Sequence, residues 1–531
     1  MPSTESTPAP NRSRWSFLHP AGGHTVASAT VLLMLSSVLS GVLALVRIKY
    51  VNYLFGAGVA QDAYRAAFKL PDLLNYFLIG GAASISLITV LNRYLEAGDD
   101  EGADRALSVI LCTMLVVLGA GVLLAEIFAP QFVWLAYKGF RGDIRANLCT
   151  SLTRLLLPAQ LFFFIGSVMT ARLQVRKIFA YQALTPLIYN GGIIAGAVLL
   201  HRQLGIFSLA VGVLGGVILG SALLNSVGAL RTGMRLHPRV SFQDPAFREW
   251  LRLSLPLMIG VSLVMFDGVF LNYFASVHVG GVTLINNAKD LFNAPFSVIG
   301  PAVGAASLPF FASLFQSGRS SDFSAFVGRS VSRLFSVGLL VSAWMIALAP
   351  WLMDLFRGGR FNRADAQRTT QLFAILAVTL ALWAVQGIYA RAFYAASDTR
   401  TPAITGTVIT VVSVPFYWLL FRAQGLQGLA IASDLGITAQ TITLAILLHR
   451  KRLVSLAHLE GWEIGRAGVA ALVAVMAAGF VALRMPTAHT HPQDVVIIAA
   501  GTLVWAAVSL GVLHITGSKL PAQLRRRKAT A

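Results

Sequence analysis

The sequence predicts an all-α, polytopic membrane protein of about fourteen helices, and three observations predict it. Of its 531 residues, 56% are hydrophobic and only 12% charged, against about 25% charged in a soluble domain. Apolar runs long enough to cross a hydrocarbon core of about 30 Å as a helix recur from one end to the other. The short alternating strands of a membrane barrel are missing.

Along the chain, residues 1–23 are polar and rich in Pro, Ser and Thr. They lack the apolar core and small-residue cleavage site of a signal peptide, and read as a disordered cytoplasmic tail. Six spans follow within 24–230, near 26–46, 66–91, 107–129, 152–171, 182–200 and 205–229. A basic loop, 231–250, separates them from six more within 251–450, near 251–275, 284–313, 332–354, 371–395, 402–421 and 426–448. Six plus six suggests a duplicated lobe, a common plan in secondary transporters. Two extra spans, near 464–484 and 494–515, fill 451–516, and a basic tail closes the chain at 517–531. An even count puts both termini on one side. The loops holding Arg172, Arg176 and Lys177, then Arg231, Arg235 and Arg239, then Arg450, Lys451 and Arg452, are the richer in basic residues. Those loops and both termini are therefore expected in the cytoplasm.

The net charge of +20 is spread over short loops with no aromatic-basic reading surface. It points to membrane lipids with anionic head groups as partners, and not to nucleic acid. Two cysteines, Cys112 and Cys149, make no disulfide framework. There is no GxxxxGK[ST] phosphate loop, so no ATP hydrolysis is expected. His489 and His491 form an HxH that reads as a plain loop, and no metal or cofactor is expected.

Charges inside the spans carry the functional signal, because they are costly there unless they face water or each other. In "FGAGVAQDAYRAAFKLPDLL", from Phe55, Asp62, Arg65, Lys69 and Asp72 follow at helical spacing and form one stripe. The stripe is either a set of salt bridges, Asp62 with Arg65, or the wall of a hydrated cavity. Pro71 frees a backbone carbonyl and bends the helix. Arg47 and Lys49 end the first span as interface snorkels or as part of the same cationic pocket. The eighth span opens "INNAKDLFNAPFSVIGPAVG", from Ile285, with Asn286, Lys289 and Asn293 on one face and Asn287 and Asp290 on the next. Pro295 and Pro301 are expected to break it, as in a transporter's substrate site. Asp267, alone in "LVMFDGVFLNYF", is either a buried hydrogen-bonded acid or a cation-coupling carboxylate.

The stretch from Phe55, "LQVRKIFAYQALTPLIYN" from Leu173, "LFRGGRFN" from Leu355 and, most specifically, "ARAFYAASDTRTPA" from Ala390 together resemble the MurJ/MviN lipid II flippases. These lie within the multidrug/oligosaccharidyl-lipid/polysaccharide exporters. The resemblance spans nearly the whole chain. It implies two six-helix lobes around a cavity that opens alternately to each side of the bacterial cytoplasmic membrane, and a lipid-tail groove on the last two helices. The implied activity is transport without enzymatic chemistry: outward movement of a lipid-linked glycan precursor for peptidoglycan synthesis. Other cell-wall synthesis proteins are implied as partners. On the family pattern Arg47 matches a cavity arginine and Asp62 the acid after FGAG. The pattern also has cations that this chain lacks. Gly41 follows Ser40, Asn75 and Tyr76 follow Leu74, and Lys289-Asp290 reverses an acid-arginine order. Arg65, Lys69 and Lys289 are the replacements on offer. Two other functions fit the same pattern: a flippase for another polyprenyl-linked oligosaccharide, or a non-transporting scaffold of envelope synthesis.

Overall fold

The computed structural model describes residues 25–78, 81–258, 263–484 and 490–522. The expected tail 1–23, the end of the basic tail from 523, Gly80 and His489 lie outside them. Among the described residues there are nineteen α-helices and no strand, only an isolated bridge between Gly358 and Phe361. They are α1 Val26–Phe55, α2 Val59–Ala67, α3 Lys69–Leu78, α4 Gly81–Glu96, α5 Asp100–Ala136, α6 Ile144–Leu156, α7 Ala159–Val175, α8 Ala180–Leu204, α9 Phe207–Gly216, α10 Leu224–Arg231 and α11 Pro245–Met258. The chain continues as α12 Leu263–Ala275, α13 Gly281–Gln316, α14 Ser320–Asp354, α15 Arg363–Ala377, α16 Leu380–Ala395, α17 Arg400–Arg450, α18 Gly461–Arg484 and α19 His491–Ile515. A π-helical segment, Val217–Leu223, joins α9 to α10.

By length and hydropathy nine of these stretches suffice to cross a membrane, or ten if α15 and α16 are one bent span. Fourteen is not reached by that measure. The expected spans 66–91 and 251–275 include residues 79–80 and 259–262, outside the described set, and 284–313 lies on α13. The spans 402–421 and 426–448 share α17, which kinks at Gly425.

Two compact units divide the chain. The first holds 1–47, 67–130 and 150–259; the second holds 48–66, 131–149 and 260–531. The boundaries of the expected lobes are thus crossed at 48–66 and 131–149, which group with the later residues. In the first unit Trp250, Phe247, Tyr181 and Phe164 anchor one apolar core. There α8 meets α9 through two small-xxx-small pairs. A Cβ on Gly192 would stand 2.7 Å from the Gly216 Cα, and one on Gly196 2.8 Å from the Gly212 Cα, so only glycine permits this approach. In the second unit Phe311, Phe323, Phe393 and Ile388 form a core. Alanines 467, 470, 471, 474, 478 and 482 put a small, buried stripe on α18, against which helices pack closely. Trp344 and Trp505 dock α19 onto α14 by donating to the Thr502 hydroxyl and the Leu340 carbonyl, each at 2.8 Å.

Certain backbone devices occur twice. Lys177, after α7, and Ser397, after α16, both have φ 59° and are 220 positions apart. Gly205 (φ 53°, ψ −130°) and Gly425 (φ 58°, ψ −133°) are separated by the same 220. That conformation is open to glycine and strained for other residues. A duplicated lobe would leave such a recurrence.

Proline has opposite outcomes in the two halves. The helix breaks at Phe68, between α2 and α3, because Pro71 offers no N–H to the Ala67 carbonyl. The Thr153 hydroxyl satisfies that carbonyl at 3.3 Å. By contrast α13 runs unbroken from Gly281 to Gln316 through Pro295 and Pro301, against expectation. The break falls in the tenth span instead, where α15 and α16 meet at 43°.

Candidate functional site

Asp62 is fully buried. Its Oδ2 accepts the Gly280 N–H at 2.7 Å, and its Oδ1 accepts the Thr283 N–H and hydroxyl at 2.8 and 2.7 Å. It therefore caps α13, where unpaired N–H groups and the helix dipole favour an anion. Arg145, also buried, stands 3.5 Å away and is held by Asp143 at 2.9 Å and the Ser276 carbonyl at 3.0 Å. Asp62 thus does not line an open cavity and does not pair with Arg65. Burying the α13 donors unsatisfied would cost more than an Asp62–Arg65 contact gains. Hydrogen bonding by Arg145 holds the Asp143 carboxyl, itself outside the spans, below its ordinary value, with burial opposing and the Arg145 charge assisting.

Arg65 instead reaches Asp290, at 2.5 Å, and the Asn287 side-chain oxygen, at 2.7 Å. Asn287 and Gln61 both donate to the Asn52 oxygen, at 3.1 and 2.6 Å. This polar line is made wholly within the second unit. Its positions are fixed by two of the motifs. A Cβ on Gly56 (φ +64°) would meet the Arg360 carbonyl at 2.4 Å, and one on Gly359 (φ +53°) would meet the Tyr53 carbonyl at 2.2 Å. The contact between FGAG and LFRGGRFN therefore requires glycine at 56 and 359.

Lys289 and Asp290 point apart, as successive helical residues must. Asp290 turns to Arg65. Lys289 shares no partner with Asn286 or Asn293, with which it had been expected to form one face. Its Nζ forms an ion pair with Asp267, whose other oxygen accepts the Tyr417 hydroxyl. The ammonium also lies 4.8 Å from the Trp383 ring centroid. Asp434 is nearby in the electrostatic sense, feeling both Lys289 and Asp267, and accepts the Thr379 hydroxyl at the α15–α16 break. Asn286 bonds Asn272 and the Val282 carbonyl, each at 2.7 Å, and Asn293 is exposed. The Asp267–Lys289 pair links positions on two helices and was missed in the sequence. Asp434 carried a signal, an acid alone in the apolar run "GLAIASDLGIT".

The first unit has its own polar set. Arg47 and Lys69 are half-buried and Asp72 is exposed. Tyr189 lies within the fields of Arg47 and Asp72. Among the described residues Arg47 has no ion-pair partner. Asn190 donates to Ser40 at 3.2 Å, and Asn75 to Gln160 at 3.0 Å. Arg172 is not a loop charge, for it is buried against Asp104 at 2.8 Å. Arg47 and Lys69 are thus placed in one unit, and Asp62, Arg65, Asn286, Lys289, Asp290, Asn293 and Asp267 in the other.

The stretch from Ala390 builds a helix start. Asp398 accepts the Thr401 N–H and hydroxyl at 3.0 and 2.7 Å and binds Lys451 at 2.6 Å. Burial pushes its carboxyl up, but those hydrogen bonds and the lysine charge prevail and hold it at about 2. Asp398 thus satisfies donors in the first turn of α17.

Against known proteins, residues 51–499 match the family model described as lipid II flippase MurJ. A probable lipid II flippase MurJ of Borreliella burgdorferi is 22% identical over 80% of this chain and 83% of its own. The lipid II flippase MurJ of Burkholderia cenocepacia is 25% identical over 92% and 97%. Among solved structures, a lipid II flippase MurJ in an inward closed conformation is similar with TM-score 0.74 and 19% identity, covering 91% of this chain and 99% of that one. An inward-facing multidrug-resistance MATE transporter of the MOP superfamily is similar with TM-score 0.63 and 17% identity, over 81% and 99%. Both are similar in fold.

Proposed function

Because this chain belongs to the lipid II flippase MurJ family, we propose that it moves lipid II, a lipid-linked glycan precursor, across the cytoplasmic membrane for peptidoglycan synthesis. It is a multi-pass membrane transporter and not an enzyme. The observation that carries the proposal is the family match across residues 51–499.

The physical problem is a pyrophosphate and sugars, which cannot enter hydrocarbon unaided. A cation inside the spans supplies counter-charge while the polyprenyl tail stays in lipid. Arg47 is the group for this role, half-buried with no ion pair of its own among the described residues, and Lys69 stands on the same unit. Arg65 and Lys289 are held by Asp290 and Asp267, so they act by setting the charge of the second unit. Two six-helix lobes, 24–230 and 251–450, alternate in access, with the helices of 451–516 guiding the lipid tail. The cycle draws on the membrane potential or an ion gradient, and direction requires cargo affinity to differ between the two states. Proteins of cell-wall synthesis are the natural partners at delivery.

Reconstituted in vesicles, the purified protein should move a fluorescent lipid II analogue between leaflets faster than protein-free vesicles do. An unchanged rate across potentials and ion gradients favours the scaffold reading. Both termini and the 231–250 loop are placed in the cytoplasm by their basic residues. A membrane-impermeant thiol reagent added outside should then label a cysteine placed near Gly358 and spare one placed near Gly233. The reverse pattern overturns the orientation.

A further inference from the structure

We infer that the Lys289 ammonium is a tethered counter-ion, seated where an alkali cation would otherwise bind Asp267, and that this chain's cycle needs no sodium or potassium in the second unit. The inference deepens the transport reading above and rests on it for its role in the cycle.

The surroundings of Asp267 have the ingredients of an alkali-cation site in a membrane transporter: an interrupted helix, carboxylates and hydroxyls inside the spans. The interruption is the 43° bend between α15 and α16. Thr379 lies at that bend and donates to Asp434. Tyr417 donates to Asp267. What differs is the occupant. Both Asp267 oxygens are taken, one by the Lys289 ammonium and one by the phenol. Asp267 is buried and the Lys289 side chain is only 18% exposed, so the pair is poorly screened by water. The ammonium is further held over the Trp383 ring at 4.8 Å, a geometry that attracts a cation. Its charge also acts on Asp434. A mobile monovalent cation entering here would meet two committed carboxylate oxygens and a fixed positive charge that repels it. Because the lysine is covalently part of α13, its counter-charge cannot be diluted away.

Removing the ammonium should expose the site it fills. Lys289→Gln leaves Asp267 with an uncompensated charge beside Asp434 and the two hydroxyls, and keeps an oxygen in place of the amine. Lys289→Arg keeps a cation. The test is thermal unfolding of the purified full-length protein in detergent, with sodium, potassium or lithium chloride titrated against choline chloride at constant ionic strength. The wild type should show the same midpoint in every salt. Lys289→Gln should gain a saturable rise of several degrees with one alkali cation, as a ligand that binds only the folded state produces. Lys289→Arg should show no such rise, and neither should the double variant Lys289→Gln with Asp267→Asn. A Lys289→Gln protein that folds only when that cation is present supports the inference equally.

A saturable, cation-specific rise in the wild type that Asp267→Asn removes overturns it. So does a Lys289→Gln protein that folds yet ignores every cation. If Lys289→Gln folds in no salt, the wild-type titration decides alone. This readout involves no cargo. A protein that fails to move lipid II while behaving as expected in the salt titration counts against the function and not against the tethered ion.

Discussion

Asp62→Ala should destabilise the protein by about 3–5 kcal/mol, the cost of breaking a buried, hydrogen-bonded charge pair. The Gly280 and Thr283 N–H groups and the Thr283 hydroxyl would lose their acceptor at a buried position, and each orphaned donor costs about 1–3 kcal/mol. Arg145, 2% exposed, would keep only Asp143 as a carboxylate partner among the described residues. Against a total stability of about 5–15 kcal/mol, such a loss should appear as a collapse in the yield of folded protein. Asp62→Asn keeps an acceptor oxygen and should lose less. Unfolding midpoints of the purified variants decide it, and an alanine variant within about 1 kcal/mol of wild type would show that the carboxylate is not a lock on α13.

Arg47→Ala should lower transport by one to two decades and leave expression and unfolding unchanged. A charge-assisted contact to phosphate is worth roughly 1.5–3 kcal/mol, and Arg47 has no ion pair among the described residues for the substitution to break. Arg47→Lys should restore part of the rate, because an ammonium lacks the planar two-pronged fork of a guanidinium. Vesicle flipping rates measured beside the folded yield separate the two effects. Full transport by the alanine variant would reduce Arg47 to an anchor at the membrane interface.

Local causes were legible in the sequence and distant ones were not. The apolar runs became helices because nothing but helical hydrogen bonding satisfies a backbone in lipid. The break at Phe68 follows from Pro71, which has no N–H to give the Ala67 carbonyl four positions earlier. The one-helix stripe expected of Asp62, Arg65, Lys69 and Asp72 is divided by that break, with Asp62 and Arg65 on α2 and Lys69 and Asp72 on α3, and its partners were not legible. Helical spacing put Arg65 three positions from Asp62. The structure sends Asp62 to the start of α13 and Arg65 to Asp290, 225 positions away. No spacing rule on one helix encodes that choice; it is made by the unsatisfied N–H groups of another. Asp267 looked solitary for the same reason, since Lys289 and Tyr417 come from other helices. One clue was available. Lys289 follows Arg65 by 224 positions, as Pro295 follows Pro71, so aligning the two halves pairs the two cations that the structure finds bound to acids. Pro295 also shows the limit of such a comparison, because α13 continues through it where the first half breaks.

The most direct test of the central claim is made in the native host. The protein is depleted, and lipid II exposed on the outer leaflet of the cytoplasmic membrane is quantified against the total pool. Outer-leaflet lipid II should fall in step with depletion while the inner pool is maintained or rises, and re-expression of wild type but not of Arg47→Ala should restore it. An undiminished outer-leaflet fraction in fully depleted cells that contain no other flippase of this family would contradict the account.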